Sequence, residues 1–146
     1  MLIYLDNCCY NRPYDNQSYV SIFIESQAKL FIQEQIKKGK IELVTSYVLY
    51  YENSQNPFEI RKNTIEDFAS EYETVYVSKE KHENVIELAE KMEKTGIKHK
   101  DACHIACAIL ANCDFFITTD YRLLKYKTDL IKIINPTDFI KELEAE

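Results

Sequence analysis

The sequence predicts an α/β fold, a three-layer αβα sandwich on a mainly parallel sheet of about five strands, formed as a single domain over residues 1–146. Three observations carry this expectation. Short apolar runs alternate with helical periodicity along the whole chain, the pattern of strands joined by crossover helices that cover both sheet faces. Glycine and proline are scarce, at 2 and 3 residues, which leaves little material for elaborate loops. Two of the apolar runs end abruptly in acids, Asp6 and Asp120, as strands do when they place side chains at one sheet edge.

The elements follow in order. Leu2-Ile3-Tyr4-Leu5-Asp6 is a buried first strand, and Asn11 to Gln17 reads as a turn-rich loop. From Ser18 to Lys38 apolar residues recur three or four apart, at Val20, Ile24, Ala28, Phe31, Ile32 and Ile36, and Gly39 ends the helix. Ile41 to Val44 is the second strand. Thr45 or Ser46 then caps a short helix carrying Tyr47, Leu49, Tyr50, Tyr51 and Glu52. Pro57 opens a further helix to about Tyr72. Thr74 to Val77 alternates as a third strand, and Ser78 caps a helix that closes near Gly96. Lys100 to Asn112 is apolar nearly all round, so this helix is central and packed on several sides. Phe115 to Thr118 and Ile131 to Ile134 supply the last two strands, and Asn135-Pro136-Thr137 starts the final helix.

Five cysteines form neither an even set nor a CxxC pair, which speaks against a disulfide framework or a zinc ribbon and for a reducing, cytoplasmic setting. No apolar stretch approaches the roughly 20 residues of a membrane span, and Asp6 interrupts what would have to be a signal sequence. The net charge of −6 is the reverse of the basic surface that most nucleic-acid binders carry. Metal ions would let such a chain act on phosphates nonetheless.

In open parallel sheets, ligands bind beyond the carboxyl ends of the strands, where the strand order switches. Asp6 and Asp120 belong to that edge, Glu52 lies on the helix leaving the second strand, and Asp101 is in the first turn of the apolar helix. Taken singly, Asp101 is equally a helix-dipole partner and Asp120 a helix cap. Taken together, the four carboxylates would repel one another, and divalent cations resolve the repulsion. Hard oxygen ligands favour Mg2+ or Mn2+, whose chemistry suits hydrolysis of phosphate esters. His104, three residues after Asp101, reads as a supporting residue. Cys103, Cys107 and Cys113 read as small core residues, as do Cys8 and Cys9. Tyr47, Tyr50 and Tyr51 are expected against the first helices or a second copy of the chain, with stacking on RNA bases as the lesser alternative. Arg12, Arg61, Arg122 and the lysines of Lys98 to Lys100 are the candidate phosphate contacts.

Leu5-Asp6-Asn7, Ser46 followed by Glu52, Lys100-Asp101-Ala102-Cys103-His104-Ile105-Ala106, and Ile117-Thr118-Thr119-Asp120-Tyr121-Arg122-Leu123-Leu124 resemble the PIN domain, the fold of VapC-type toxin ribonucleases. The resemblance spans essentially the whole chain. It implies a Mg2+- or Mn2+-dependent endoribonuclease that hydrolyses RNA with metal-activated water, commonly a homodimer held inactive by a cognate antitoxin. Asp6, Asp101 and Asp120 would then be metal ligands, and Glu52 a ligand or a positioner of the attacking water. Thr118 would orient a metal-binding carboxylate. The chain departs from the family pattern at Cys8, where many members have Asn, and this removes the ground for a site role of Asn7. Other readings have less support. A phosphatase of the haloacid-dehalogenase type needs a second Asp at position 8, a receiver-like or scaffold domain needs a Lys after the fifth strand, and a domain that has lost activity would not need all four acids.

Overall fold

In the computed structural model, which describes residues 1–145, the first half of the chain forms β1 (Leu2–Leu5), α1 (Asn7–Asn11), a 3-10 turn at Arg12–Tyr14, α2 (Val20–Lys37), β2 (Glu42–Ser46), α3 (Tyr47–Ser54) and α4 (Glu59–Tyr72). The second half adds β3 (Glu73–Val77), a 3-10 turn at Lys79–Lys81, α5 (His82–Glu93), α6 (His99–Leu110), β4 (Phe115–Ile117), α7 (Tyr121–Leu124), β5 (Lys132–Ile134) and α8 (Pro136–Glu144). The sheet is parallel throughout and ordered β3-β2-β1-β4-β5. From β1 the chain builds outward through β2 and β3, then returns to the other side of β1 for β4 and β5. The order therefore reverses between β1 and β4, and the crevice at their carboxyl ends is where a fold of this kind binds ligands.

β1 is buried on both faces, so its side chains feed two cores. Tyr4 joins Val44, Val77, Phe116 and the inner faces of α5 and α6, including Val85, Ala89, Ile105 and Ala106. Ile3 and Leu5 join Leu43, Phe115 and Ile117 against Ile32 and Ile36 of α2, Leu49, Ile65 and Phe139. Each fully buried Ile, Leu or Phe contributes about 1.5–3 kcal/mol of transfer free energy. Residues 102 to 108 of α6 are all buried, as an all-round apolar helix requires. α2 ends in Gly39, whose φ of +74° is left-handed and free of the strain a Cβ would bring. No described helix is long and apolar enough to cross a membrane.

Three expectations are corrected. The segment read as a loop from Asn11 is preceded by a helical turn, Asn7–Asn11, and then coils through Pro13. Asp6 caps that turn by accepting the Asn7 N–H, and Cys9 and Tyr10 are buried beneath it. The helix placed at Pro57 begins at Glu59, because the Asn56 side chain accepts the Phe58 N–H and holds a turn there. The tyrosines of α3 face the β3 and α5 side and not the first helices. Tyr47 meets His82 at 2.7 Å, Tyr50 donates to Glu73 at 2.6 Å and packs on Tyr76, and Tyr51 is exposed.

Candidate active site

Parallel pairing of β1 with β4, Leu5 opposite Ile117, brings Asp6 beside Thr118 at the reversal point. Asp6 is 6% exposed. Its Oδ1 accepts the Asn7 N–H at 2.8 Å, while its Oδ2 accepts the Thr118 hydroxyl at 2.8 Å and the Cys8 thiol at 3.4 Å. The Thr118 oxygen in turn accepts the backbone N–H of Asp120 at 3.0 Å. Asp120 caps α7 through the Arg122 N–H at 2.8 Å, so its helix-cap role and its place at the sheet edge coexist.

Ser46, the last residue of β2, caps α3 by accepting the Leu49 N–H at 3.0 Å. Starting there, α3 carries Glu52 to the same edge. Glu52 Oε1 lies 2.8 Å from His104 Nε2 and Oε2 lies 2.7 Å from Lys100 Nζ. Burial pushes the Glu52 carboxyl up, but hydrogen bonds and charge from His104 and Lys100 outweigh it and bring its pKa down to about 2. Asp101 behaves in the opposite way. Burial, then the charges of Asp6 and Asp120, raise its pKa above the ordinary carboxylate value. It is an acid in search of positive charge.

Asp6, Glu52, Asp101 and Asp120 line one open cleft of about 520 Å3, together with Lys98 and Lys100. Within it, one ligand atom each from Asp6, Glu52 and His104 lie within 4.8 Å of one another. Asp101 and Asp120 stand outside that tight group. The carboxylate oxygens form a donor set that fits Mg2+ or Mn2+, while both nitrogens of His104 are engaged by Glu52 and Tyr4. The uncompensated charge at Asp101 points to the same kind of occupant.

Of the candidate phosphate contacts, Lys98 and Lys100 reach this cleft. Arg12 is committed to Asp15 and Glu25, and Arg61 lies over the Tyr14 and Phe58 rings. Cys9, Cys103, Cys107 and Cys113 are buried, whereas Cys8 is half-buried and lines the cleft. Asn7 lines it as well. The residue that the sequence pattern undervalued is Tyr4. A tyrosine inside a buried strand needs a partner for its hydroxyl, and that requirement was the available signal. Here it meets both His104 Nδ1 and Ser46 Oγ at 2.6 Å.

A family model described as the PIN domain matches residues 20–128. The fold is similar to a chain in the crystal structure of VapBC2 from Rickettsia felis bound to a DNA fragment from their promoter, with a TM-score of 0.57 and 14% sequence identity. That alignment covers 92% of this chain and 98% of the other. A search of curated proteins finds no match.

Proposed function

The chain belongs to the PIN domain family, and from that membership we propose that it is an endoribonuclease dependent on Mg2+ or Mn2+. The observation that supports the reading best is the placement of Asp6, Glu52, Asp101 and Asp120 around one cleft at the point where strand order reverses. Asp6, Glu52, Asp101 and Asp120 would hold the cation, directly or through its bound water. A divalent ion there supplies the charge that activates water and neutralises phosphodiester oxygens. The chain's own residues do the rest. Thr118 holds one oxygen of Asp6 in place, His104 and Lys100 keep Glu52 ionised, and Lys98 and Lys100 offer positive charge to the RNA backbone in a chain that is otherwise acidic. Beyond Glu52 and Lys100 lies an apolar pocket of about 400 Å3 walled by Tyr47, Tyr51 and Ile86, where an unpaired base would find aromatic faces.

The VapBC2 neighbour was solved with DNA from its own promoter, and the resemblance to VapC-type toxins extends the proposal to a cognate antitoxin and a homodimer. The deciding experiment incubates purified protein with single-stranded RNA in Mn2+, Mg2+ or excess EDTA, alongside Asp6→Asn. Cleavage is expected with either ion and lost with EDTA or in the variant. Equal cleavage by Asp6→Asn, or cleavage in EDTA, would overturn the reading. Co-expression with the adjacent open reading frame tests for the antitoxin, and light scattering tests for the homodimer.

A further inference from the structure

Glu52 is the one acid of the cleft with both oxygens engaged by cationic or cation-forming side chains, and the two partners are unlike. His104 is 1% exposed, whereas the Lys100 side chain is 63% exposed. Behind His104 the contacts continue inward. Tyr4 Oη lies 2.6 Å from His104 Nδ1 and 2.6 Å from Ser46 Oγ, and Ser46 Oγ accepts the Leu49 N–H at 3.0 Å.

Glu52 fixes one donor direction, and a neutral imidazole sets the others. The Glu52 carboxylate can only accept, so His104 Nε2 carries the proton. In the neutral ring Nδ1 is then an acceptor and receives the Tyr4 O–H. The Tyr4 oxygen accepts from the Ser46 hydroxyl, whose own oxygen takes the Leu49 N–H. Every member is satisfied, which a buried polar chain requires. The Tyr4 ring is packed between two others, stacking on Phe116 at 5.4 Å and meeting the His104 ring edge-on at 5.7 Å.

We propose that Tyr4 and His104 are positioning residues that fix Glu52 by Oε1 and so aim Oε2 into the cleft, where Lys100 caps it until a divalent cation takes its place. The inference rests on reading the cleft as a metal site. Strand β1 then places two acids at once, Asp6 directly and Glu52 through Tyr4 and His104. Glu52 needs such a tether because its side chain is long and its helix short, and a free Glu would give up rotamer entropy on binding a cation. Tyr4 also holds the ring from behind, since its hydroxyl supplies the donor that Nδ1 accepts once Nε2 gives its proton to Glu52. Lys100 acts in the opposite sense, since its ammonium occupies the oxygen that the cation needs.

The test measures Mn2+ binding to the full chain without RNA, by titration calorimetry and by the electron paramagnetic resonance of free Mn2+, with folding followed by circular dichroism. Removing a partner that orients a metal ligand weakens affinity roughly 10- to 100-fold, and His104→Leu is expected at the lower end of that range. Tyr4→Phe keeps the stacked ring and is expected to weaken binding several-fold. His104→Gln retains an N–H donor toward Glu52 and should restore most of the affinity. Lys100→Gln should tighten binding, a change of opposite sign that loss of packing does not produce. Wild-type Mn2+ affinity in folded Tyr4→Phe and His104→Leu alike, together with an unchanged Lys100→Gln, would overturn the proposal, as would failure of the wild type to bind Mn2+. Should His104→Leu not fold, the Tyr4→Phe and Lys100→Gln pair decides by the opposed signs of their effects. Mn2+ binding that depends on these residues in a protein that cuts no RNA would sustain the inference while the nuclease reading fell.

Discussion

Thr118 donates its hydroxyl to Asp6 at 2.8 Å and accepts the Asp120 N–H at 3.0 Å through the same oxygen. One side chain thus ties together the two acids that arrive on neighbouring strands. Thr118→Val keeps the shape and removes both bonds. It should cost about 1–3 kcal/mol of stability, as stranding a buried partner does, and weaken Mn2+ affinity roughly 10-fold. Thr118→Ser should behave nearly as the wild type. Thermal unfolding and metal titration read the two effects separately, and wild-type Mn2+ affinity in Thr118→Val would refute the tie.

Asp101 is held above its ordinary pKa by burial and then by the charges of Asp6 and Asp120. Ionising it therefore costs more in the metal-free fold than in the unfolded chain. Asp101→Asn should raise the melting temperature of the metal-free protein by a few degrees, the shift that about 1 kcal/mol produces in a chain of this size. The wild type should gain a further rise with Mn2+, and the same variant should lose it. Melting curves with EDTA and with Mn2+ provide the check, and a lower metal-free melting temperature would contradict the repulsion.

Glu52 has the opposite sign. Its folded pKa of about 2 lies below the ordinary 4.5, so its ionised form stabilises the fold. That contribution is complete above pH 4.5 and is lost as pH falls toward 2. We expect about 1–2 kcal/mol, discounted from the full linkage because solvent screens the exposed Lys100. Asp101 acts against it, since protonation of a carboxyl with a raised pKa favours the fold. Unfolding by urea between pH 2 and 6 should therefore show a shallower acid dependence in Glu52→Gln and a steeper one in Asp101→Asn. Parallel curves for all three proteins would count against both assignments.

Cys8 is the half-buried member of the five cysteines, with its thiol 3.4 Å from Asp6 and 3.3 Å from Thr118. Burial pushes Cys107 and Cys113 to about 12, which leaves them unreactive. Brief treatment of the native protein with iodoacetamide should therefore modify Cys8 first, as read by peptide mass spectrometry. The adduct should block Mn2+ binding, and Cys8→Ser should bind the ion and resist the reagent. First labelling at Cys103 would sink this expectation.

Most of the architecture is legible along the chain because it depends on periodicity. The α6 run from Ala102 to Ala108 is apolar on every side and is buried on every side. Ser46 reads as a cap and is one. The four acids could be placed on one edge because the order of elements dictates which ends of parallel strands coincide. What escaped depends on distances across the sheet. Asn7 to Asn11 is too short to show a period, and its cap is the acid that the sequence assigns to the site. The reach of His104 to Glu52 spans 52 residues and that of Tyr4 to His104 spans 100. No local pattern encodes such a meeting. The wholly parallel sheet is likewise a tertiary outcome, reached once every crossover carries a helix.

The pairing of β1 with β4 also has a meaning in time. Thr118 follows Asp6 by 112 residues, and β4 cannot dock on β1 until the ribosome has released both. Chains emerge at roughly 5–20 residues per second, so for several seconds each nascent copy carries its first acids without the strand that gathers them. A growing or truncated chain that ends before Phe115 lacks Asp120 and the Thr118 hydroxyl that holds Asp6. Completion of the acid cluster is thus tied, by topology alone, to the arrival of the last third of the fold.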